Sequence, residues 1–195
     1  MALRIVLALV LTALAAPFGS SGTESTVAVV SPAPTWSGVR VLGLENDPAR
    51  SAEAQQVVTR FAEAGLELPT VTIEFHESTG ACNGHDGFIR YTRPAPAISI
   101  CSDRPYVLPH ELAHAWVDAN LTDAARADYV ERWGLASWDG ANEDWNDRGT
   151  EHAAFAIQQN ITAASPPMTR TWRERAEAFE MLTGVESPLS SGAAA

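Results

Sequence analysis

The segment VLPHELAHAWVDA, residues 107 to 119, combines titratable and apolar side chains in a pattern that predicts a buried helix. His110 and His114 are four positions apart, so a helix places both on one face about one turn from each other. Neighbouring residues such as Leu112 and Ala115 indicate apolar surroundings for this face. Because a buried polar face needs a polar partner, the spacing predicts that both imidazoles bind one metal ion.

Glu111 lies between the two histidines in sequence and is rotated by about 100° from His110 around the helix axis. Its carboxylate can therefore point at a water molecule on the metal without being a ligand itself. Zinc suits this arrangement, because three protein ligands leave a fourth position for water, whose pKa the ion lowers to about 7. The sequence thus predicts one Zn²⁺ per chain as cofactor and Glu111 as the general base that moves the proton to the leaving amine.

The motif HELAH at 110 to 114 resembles that of the zincin metallopeptidases, and more narrowly the gluzincins, whose third zinc ligand is a glutamate on a later helix. Glu151, which lies 37 positions after His114 and opens a predicted helix, best matches that glutamate. The resemblance extends from a predicted strand at 97 to 101 to a helix that ends near 159. Alternatives for the third ligand are His152, Glu143, Asp144 and Asp139.

One position departs from the gluzincin pattern. Many gluzincins have an aspartate four residues after the ligand glutamate, where it supports a zinc-bound imidazole, and here that position is Phe155. Asp118, Asp144 and Asp147 are the candidates for this supporting role.

The resemblance implies a zinc-dependent hydrolase that cleaves peptide bonds in a peptide or protein substrate. Metallopeptidases of this type place a Tyr or His across from the catalytic glutamate, and His152, Tyr106 and Tyr129 are the candidates for such a transition-state donor. HExxH specifies attack on a carbonyl and says little about the substrate, so two alternatives stay open. One is a non-catalytic secreted interaction module that zinc stabilises, and the other is a zinc amidase acting on cell-wall material.

The N-terminal residues 1 to 16, MALRIVLALVLTALAA, have the features of a secretory signal peptide. Arg4 precedes an apolar run, and Ala13 and Ala15 fit a signal-peptidase cleavage site. The run is shorter than the roughly 20 residues that span a bilayer as a helix. We therefore expect a secreted or extracytoplasmic protein with no stable membrane insertion after cleavage, an uncleaved anchor being the alternative.

Cys82 and Cys101 are the two cysteines of the chain, and an even number in an oxidising compartment favours a disulfide bond. The alternative joins both thiols and His85 in a second metal site, but the chain has no Cys-x-x-Cys pair.

Amino-acid composition and length limit the kinds of partner and the number of domains. Among 195 residues, 13 are basic and 24 are acidic, all basic ones are arginine, and the formal net charge is -11. This balance argues against a nucleic-acid partner, which needs clustered positive charge. The length fits a single domain with tails.

Along the chain, a Ser-, Thr- and Pro-rich leader at 17–37 precedes a domain at 38–184, and a tail follows at 185–195. The predicted fold is α+β, a compact zincin-like domain with a small, mainly antiparallel sheet, the active-site helix and a helical C-terminal part. The strand at 97–101 is the expected edge strand, with which an extended substrate could pair. Further strands are predicted at 71–76 and 87–91, and helices at 48–64, 107–119, from Thr122 to Gly134, at 148–159, and from a capping box at Thr171 and Glu174 to Gly184.

Overall fold

The structure is a computed structural model that describes most of the chain after residue 34. The predicted signal peptide, 1–16, lies outside the described residues, and so does the predicted leader, 17–37, except for two residues. The described residues all belong to one unit, Ser31–Ala195. Among them, no helix has both the length and the apolar character needed to cross a membrane. The described ranges are 35–36, 38–44, 47–140, 143–162 and 171–190.

Five strands form one mixed sheet in the order β1-β2-β3-β5-β4. The pairs β2–β3 and β3–β5 are parallel, whereas β1–β2 and β4–β5 are antiparallel. The fold class α+β is confirmed, but the prediction of a mainly antiparallel sheet is wrong, because a helix carries the chain from β2 back to the start of β3. The strands are β1 Thr35–Trp36, β2 Val39–Leu42, β3 Val71–Phe75, β4 Gly87–Arg90 and β5 Ala97–Ile100.

The position of β5 corrects the prediction of an edge strand at 97–101. Ile98 of β5 lies opposite Ile73 of β3 on one side and opposite Ile89 of β4 on the other. With both sides of β5 occupied, β4 is the outer strand of the sheet at this end. Among the described residues, the predicted strand at 87–91 is therefore the one that presents a free edge at this end of the sheet.

The described residues also form five α-helices, whose ends lie close to the predicted ones. The Asp47 carboxylate accepts a hydrogen bond from the Arg50 amide at 2.9 Å and caps α1. Thr171 and Glu174 form the predicted capping box at the start of α5. The helices are α1 Pro48–Glu63, α2 Val107–Asn120, α3 Asp123–Trp133, α4 Gly149–Ile161 and α5 Trp172–Thr183.

The helix that carries HELAH lies in the middle of the core. α2 packs against α4 and also contacts β4 and β5, and its residues from Val107 to Val117 are buried. Ala113 on α2, and Ala153 and Ala154 on α4, are fully buried. These small side chains let the two helix backbones approach closely, so polar residues on the facing surfaces can meet.

The disulfide between Cys82 and Cys101 is present, as predicted. It joins a short 3₁₀ helix, Thr79–Cys82, to the residue that follows β5, with a Cα–Cα distance of 6.1 Å. Both thiols are thereby used, so the alternative metal site with His85 is excluded.

The first part of the predicted tail packs on the domain. Ser187 is 1% exposed, its hydroxyl hydrogen-bonds to the Asn160 side chain of α4, and its amide donates to the Glu180 carboxylate at 3.0 Å. The described domain therefore extends past the predicted boundary at residue 184.

We predict that the double variant Cys82→Ala/Cys101→Ala lowers the free energy of unfolding by about 3 kcal/mol, because the bond closes a loop of about 20 residues in the unfolded chain. Urea unfolding of wild type and variant measures the change, and wild type unfolded under reducing conditions serves as the matched control. An unchanged unfolding midpoint would show that the bond contributes nothing to stability.

Candidate metal centre

Three predicted ligands, His110, His114 and Glu151, converge on one point between α2 and α4. The two His Nε2 atoms are 3.1 Å apart, and Oε2 of Glu151 lies 3.1 Å from Nε2 of His110 and 3.2 Å from Nε2 of His114. All three residues are buried, with exposed fractions of 7%, 6% and 7%. The group could hold a metal ion.

The dimensions of this triangle of atoms fit a first-row metal ion. A point equidistant from the three atoms lies about 1.8 Å from each, so an ion at the usual distances of about 2.0–2.2 Å fits just outside their plane. Two imidazole nitrogens and one carboxylate oxygen all offer lone pairs to the same point. Without a cation or shared protons, such a buried arrangement of acceptors would be costly.

Local secondary structure positions each ligand. His110 and His114 lie one turn apart on α2, and Glu151 lies in the first turn of α4. The amides of Gly149 and Thr150 donate to the carbonyls of Ser137 and Trp138 at 2.8 and 3.0 Å. These bonds fix the start of α4 against the preceding loop. They therefore set the position along α2 that the Glu151 side chain reaches.

The charge states of Glu151 and His110 favour metal binding, whereas His114 must release a proton to bind a cation. Burial acts to raise the pKa of Glu151, but hydrogen bonds from His110 and His114 outweigh it and hold this pKa at about 2. Burial lowers the pKa of His110. For His114 burial acts in the same direction, but the Glu151 carboxylate outweighs it and the pKa is raised. A carboxylate and a neutral imidazole are the forms that bind a cation.

Glu111 lies beside this group without joining it. It is 7% exposed, and burial raises its pKa to about 7, with the His114 imidazole opposing this shift and the Glu151 carboxylate adding to it. A carboxylate whose pKa is near neutral can both accept and return a proton. Its Cγ also lies close to Gly87, where an added Cβ would be 3.3 Å from Glu111 and 2.7 Å from a Val107 methyl carbon. β4 thus passes directly over the start of α2.

A residue that the sequence analysis did not select supports one imidazole. Nδ1 of His114 lies 3.3 Å from the Thr150 hydroxyl, to which it can donate. Nδ1 of His110 is buried without a hydrogen-bond partner among the described residues, and the Phe155 ring lies 4.4 Å from the His110 ring. The substitution of an aromatic ring for the expected aspartate therefore leaves His110 without a polar support.

The predicted supporting carboxylates have other surroundings. Asp118 pairs with Arg126 at 3.4 Å, and Asp144 and Asp147 are exposed. The position of Thr150, directly before the ligand glutamate, is the only signal in the sequence that could have indicated its role.

A cleft of about 320 Å³ opens onto the site. Glu111, His114 and Glu151 contribute to its wall, which gives solvent a path to the metal position and the candidate base. β4 and the segment before α4 supply the rest of the wall, including His85, Tyr91, Asp139, Trp145 and Arg148.

The three predicted transition-state donors are not among the residues that line this cleft. The Tyr129 hydroxyl lies 2.7 Å from Nδ1 of His152, and both side chains are buried on the side of α4 that faces α3. The Tyr106 hydroxyl accepts a hydrogen bond from Arg104 at 3.0 Å. Sequence spacing could not separate these residues from Tyr91, because the path of β4 decides which tyrosine reaches the cleft.

The same geometry separates the candidates for the third ligand. His152 points toward Tyr129, and Glu143 accepts a hydrogen bond from Ser137 at 2.8 Å. Asp139 lines the cleft but is outside the group of converging ligand atoms.

No protein-family model, no curated protein and no solved structure matches this chain. The chemistry of the site is therefore interpreted from its own residues.

We predict that Glu151→Ala weakens binding of Zn²⁺ severely, whereas His152→Ala leaves it within a few-fold of wild type. Removing Glu151 takes away one of three converging ligands, while removing His152 breaks contacts outside the ligand group, among them those with Tyr129 and Trp133, and costs about 1–3 kcal/mol of folding stability. Competition with a chromogenic chelator gives both zinc affinities, and circular dichroism confirms that each variant is folded. The reverse order of affinities would replace Glu151 by His152 in the ligand set.

Proposed function

We propose that this chain is a secreted zinc-dependent hydrolase that cleaves peptide bonds with Glu111 as the general base. One observation carries the proposal: His110, His114 and Glu151 converge within 3.2 Å of one another, and the buried Glu111 carboxylate shares their open cleft. Secretion rests on the signal-peptide features of residues 1–16 together with the Cys82–Cys101 disulfide.

The donor set favours zinc as the metal. Two imidazoles and one carboxylate suit this ion, and three protein ligands are typical of catalytic zinc sites, whereas structural sites have four. When bound, zinc would polarise the substrate carbonyl and lower the pKa of a bound water.

The chain's own residues would then divide the remaining tasks. Glu111 would hold the proton of the attacking water and deliver it to the leaving amine, a role that its position in the cleft beside the ligand group allows. Thr150 would keep the His114 ring oriented through its Nδ1. The open cleft would leave room for a substrate chain to enter.

The free edge of β4 supports an extended peptide as substrate. The Cys101 amide donates to the Asp86 carbonyl at 2.8 Å, and Gly87 lies opposite Ile100. Since bonded and non-bonded pairs alternate in antiparallel strands, the backbone groups of Gly87 and Ile89 point away from β5. A substrate strand could bond to these groups beside Glu111, which replaces the strand at 97–101 as the expected binding edge.

The open cleft disfavours the non-catalytic alternative. A zinc ion that only stabilises the fold is normally enclosed by four protein ligands. Here the described residues supply three, and two of them, His114 and Glu151, line the cleft. A zinc amidase acting on cell-wall material would use the same residues, and only the substrate separates it from a peptidase.

We predict about one zinc ion per molecule of mature protein purified without added metal, because the buried ligand group needs a cation. Elemental analysis of the purified chain measures the ratio, with the variant His110→Ala/His114→Ala as a control that should contain none. Metal-free protein whose folding is indifferent to chelator would contradict the proposal.

We also predict that Glu111→Gln retains zinc but loses hydrolysis by a factor of about 10²–10⁴, since the amide preserves size while removing the base. Cleavage of an unfolded protein substrate, followed by mass spectrometry, measures the loss. Glu67→Gln, which changes an exposed glutamate that does not line the cleft, should keep full activity. Equal cleavage by wild type and Glu111→Gln would show that Glu111 is not the base.

A further inference from the structure

Two exposed aromatic side chains lie on the same cleft. Among the described residues, the large apolar side chains that are most exposed are Tyr91 at 56%, Trp145 at 49% and Met181 at 43%. Tyr91 and Trp145 both line the cleft beside Glu111, whereas Met181 lies on α5. Large apolar groups that are left in water beside a reactive site indicate a binding surface.

The two rings belong to different structural elements. Tyr91 directly follows β4, and Trp145 lies in the 3₁₀ helix that precedes α4. The Trp145 ring stacks at 6.5 Å from the His110 ring with an interplanar angle of 26°, and the Arg148 guanidinium lies 5.7 Å from the Trp145 ring centroid. Trp145 is thus held beside the metal ligands while about half of its surface stays in solvent.

The charges on the cleft favour a neutral occupant over an acidic one. Glu111, Asp139 and Glu151 contribute carboxyl groups to the wall. The Arg148 guanidinium already donates to the Glu143 carbonyl at 2.9 and 3.2 Å. Two positive charges from a bound zinc ion and one from Arg148 balance these three carboxyl groups, so no excess positive charge is left to attract an acidic side chain.

A peptide paired with the free edge of β4 would run alongside these rings. Its side chains would alternate in direction, so that one side chain near Glu111 would face the space bounded by Tyr91 and Trp145. Aromatic rings also stack on sugars, but a sugar would leave the backbone groups of Gly87 and Ile89 without their strand partner.

We infer that the cleft recognises an extended peptide through a large apolar or aromatic side chain, which packs against Tyr91 and Trp145 next to the scissile bond. This inference rests on the proposed function and adds its substrate class. Tyr91 and Trp145 determine specificity in this account and do not take part in bond cleavage.

The test measures binding to the full mature chain carrying Glu111→Gln and loaded with zinc, so that cleavage does not interfere. The probes are capped ten-residue peptides of Gly, Ser and Ala with one central Phe, matched peptides with Ala or Glu in that place, and a tetrasaccharide of N-acetylglucosamine. Isothermal titration calorimetry gives the affinities. We expect the Phe peptide to bind about tenfold or more tightly than the Ala peptide, and the Glu peptide to bind least.

Variants in the same background locate the contact. Tyr91→Ala and Trp145→Ala should each reduce the Phe-to-Ala ratio of affinities several-fold, and the double variant should bring it close to one. Met181→Ala removes the third exposed side chain, which lies outside the cleft, and should leave the ratio unchanged.

Several results overturn the inference. These are equal affinity for the Phe and Ala peptides, no detectable binding of the Phe peptide, an unchanged ratio in the double variant, or binding of the tetrasaccharide alone. If wild type nevertheless cleaves unfolded protein, the proposed function stands while the substrate class fails. A clear Phe preference without cleavage by wild type supports the recognition surface and contradicts the proposed hydrolysis instead.

Discussion

The burial of three candidate metal-ligand side chains between α2 and α4 determines how the surrounding elements must pack. His110, His114 and Glu151 are each less than one-tenth exposed, and their ligand atoms face one another rather than water. Polar groups in such a position need a common partner, and a cation satisfies all three at once. The core around them therefore holds α2 and α4 at a fixed distance and at a fixed position along each other's axes.

Small residues make this arrangement possible. Ala113, Ala153 and Ala154 allow α2 and α4 to approach, and Gly149 lets the start of α4 lie against Trp138, whose ring would be 2.8 Å from an added Cβ. Gly87 does the same for β4 above α2. Close approach at these points brings the free edge of the sheet, the candidate base and the ligand group into one cleft. The proposed chemistry therefore depends on residues that take no part in it.

Much of this could be predicted from local patterns. The four-residue spacing of His110 and His114 and the caps at Asp47 and Thr171 are short-range signals, and the structure agrees with them. The prediction of Glu151 as a ligand rests on the resemblance to gluzincins, because nothing in the local sequence connects it to His114, 37 residues earlier. The resemblance itself, and the catalytic role of Glu111, stay predictions.

The order of strands and the walls of the cleft could not be predicted in this way. β5 lies inside the sheet and β4 at its edge because β3 pairs directly with β5, although β4 lies between them in the sequence. This pairing joins residues that are distant in the sequence, which local patterns do not indicate. The same pairing brings Tyr91 to the cleft, while Tyr129 is used to hold His152 in the core. Thr150 likewise supports His114 only because α4 meets α2 at this height.

X-ray absorption spectroscopy at the zinc edge, on the purified zinc-loaded chain, identifies the atoms bound to the metal. We expect two imidazole nitrogens, one carboxylate oxygen and one light atom from solvent, without sulfur. The double variant His110→Ala/His114→Ala should bind no zinc and therefore give no zinc-edge spectrum. A shell of four protein ligands, or one with sulfur, would contradict the proposed open centre formed by His110, His114 and Glu151.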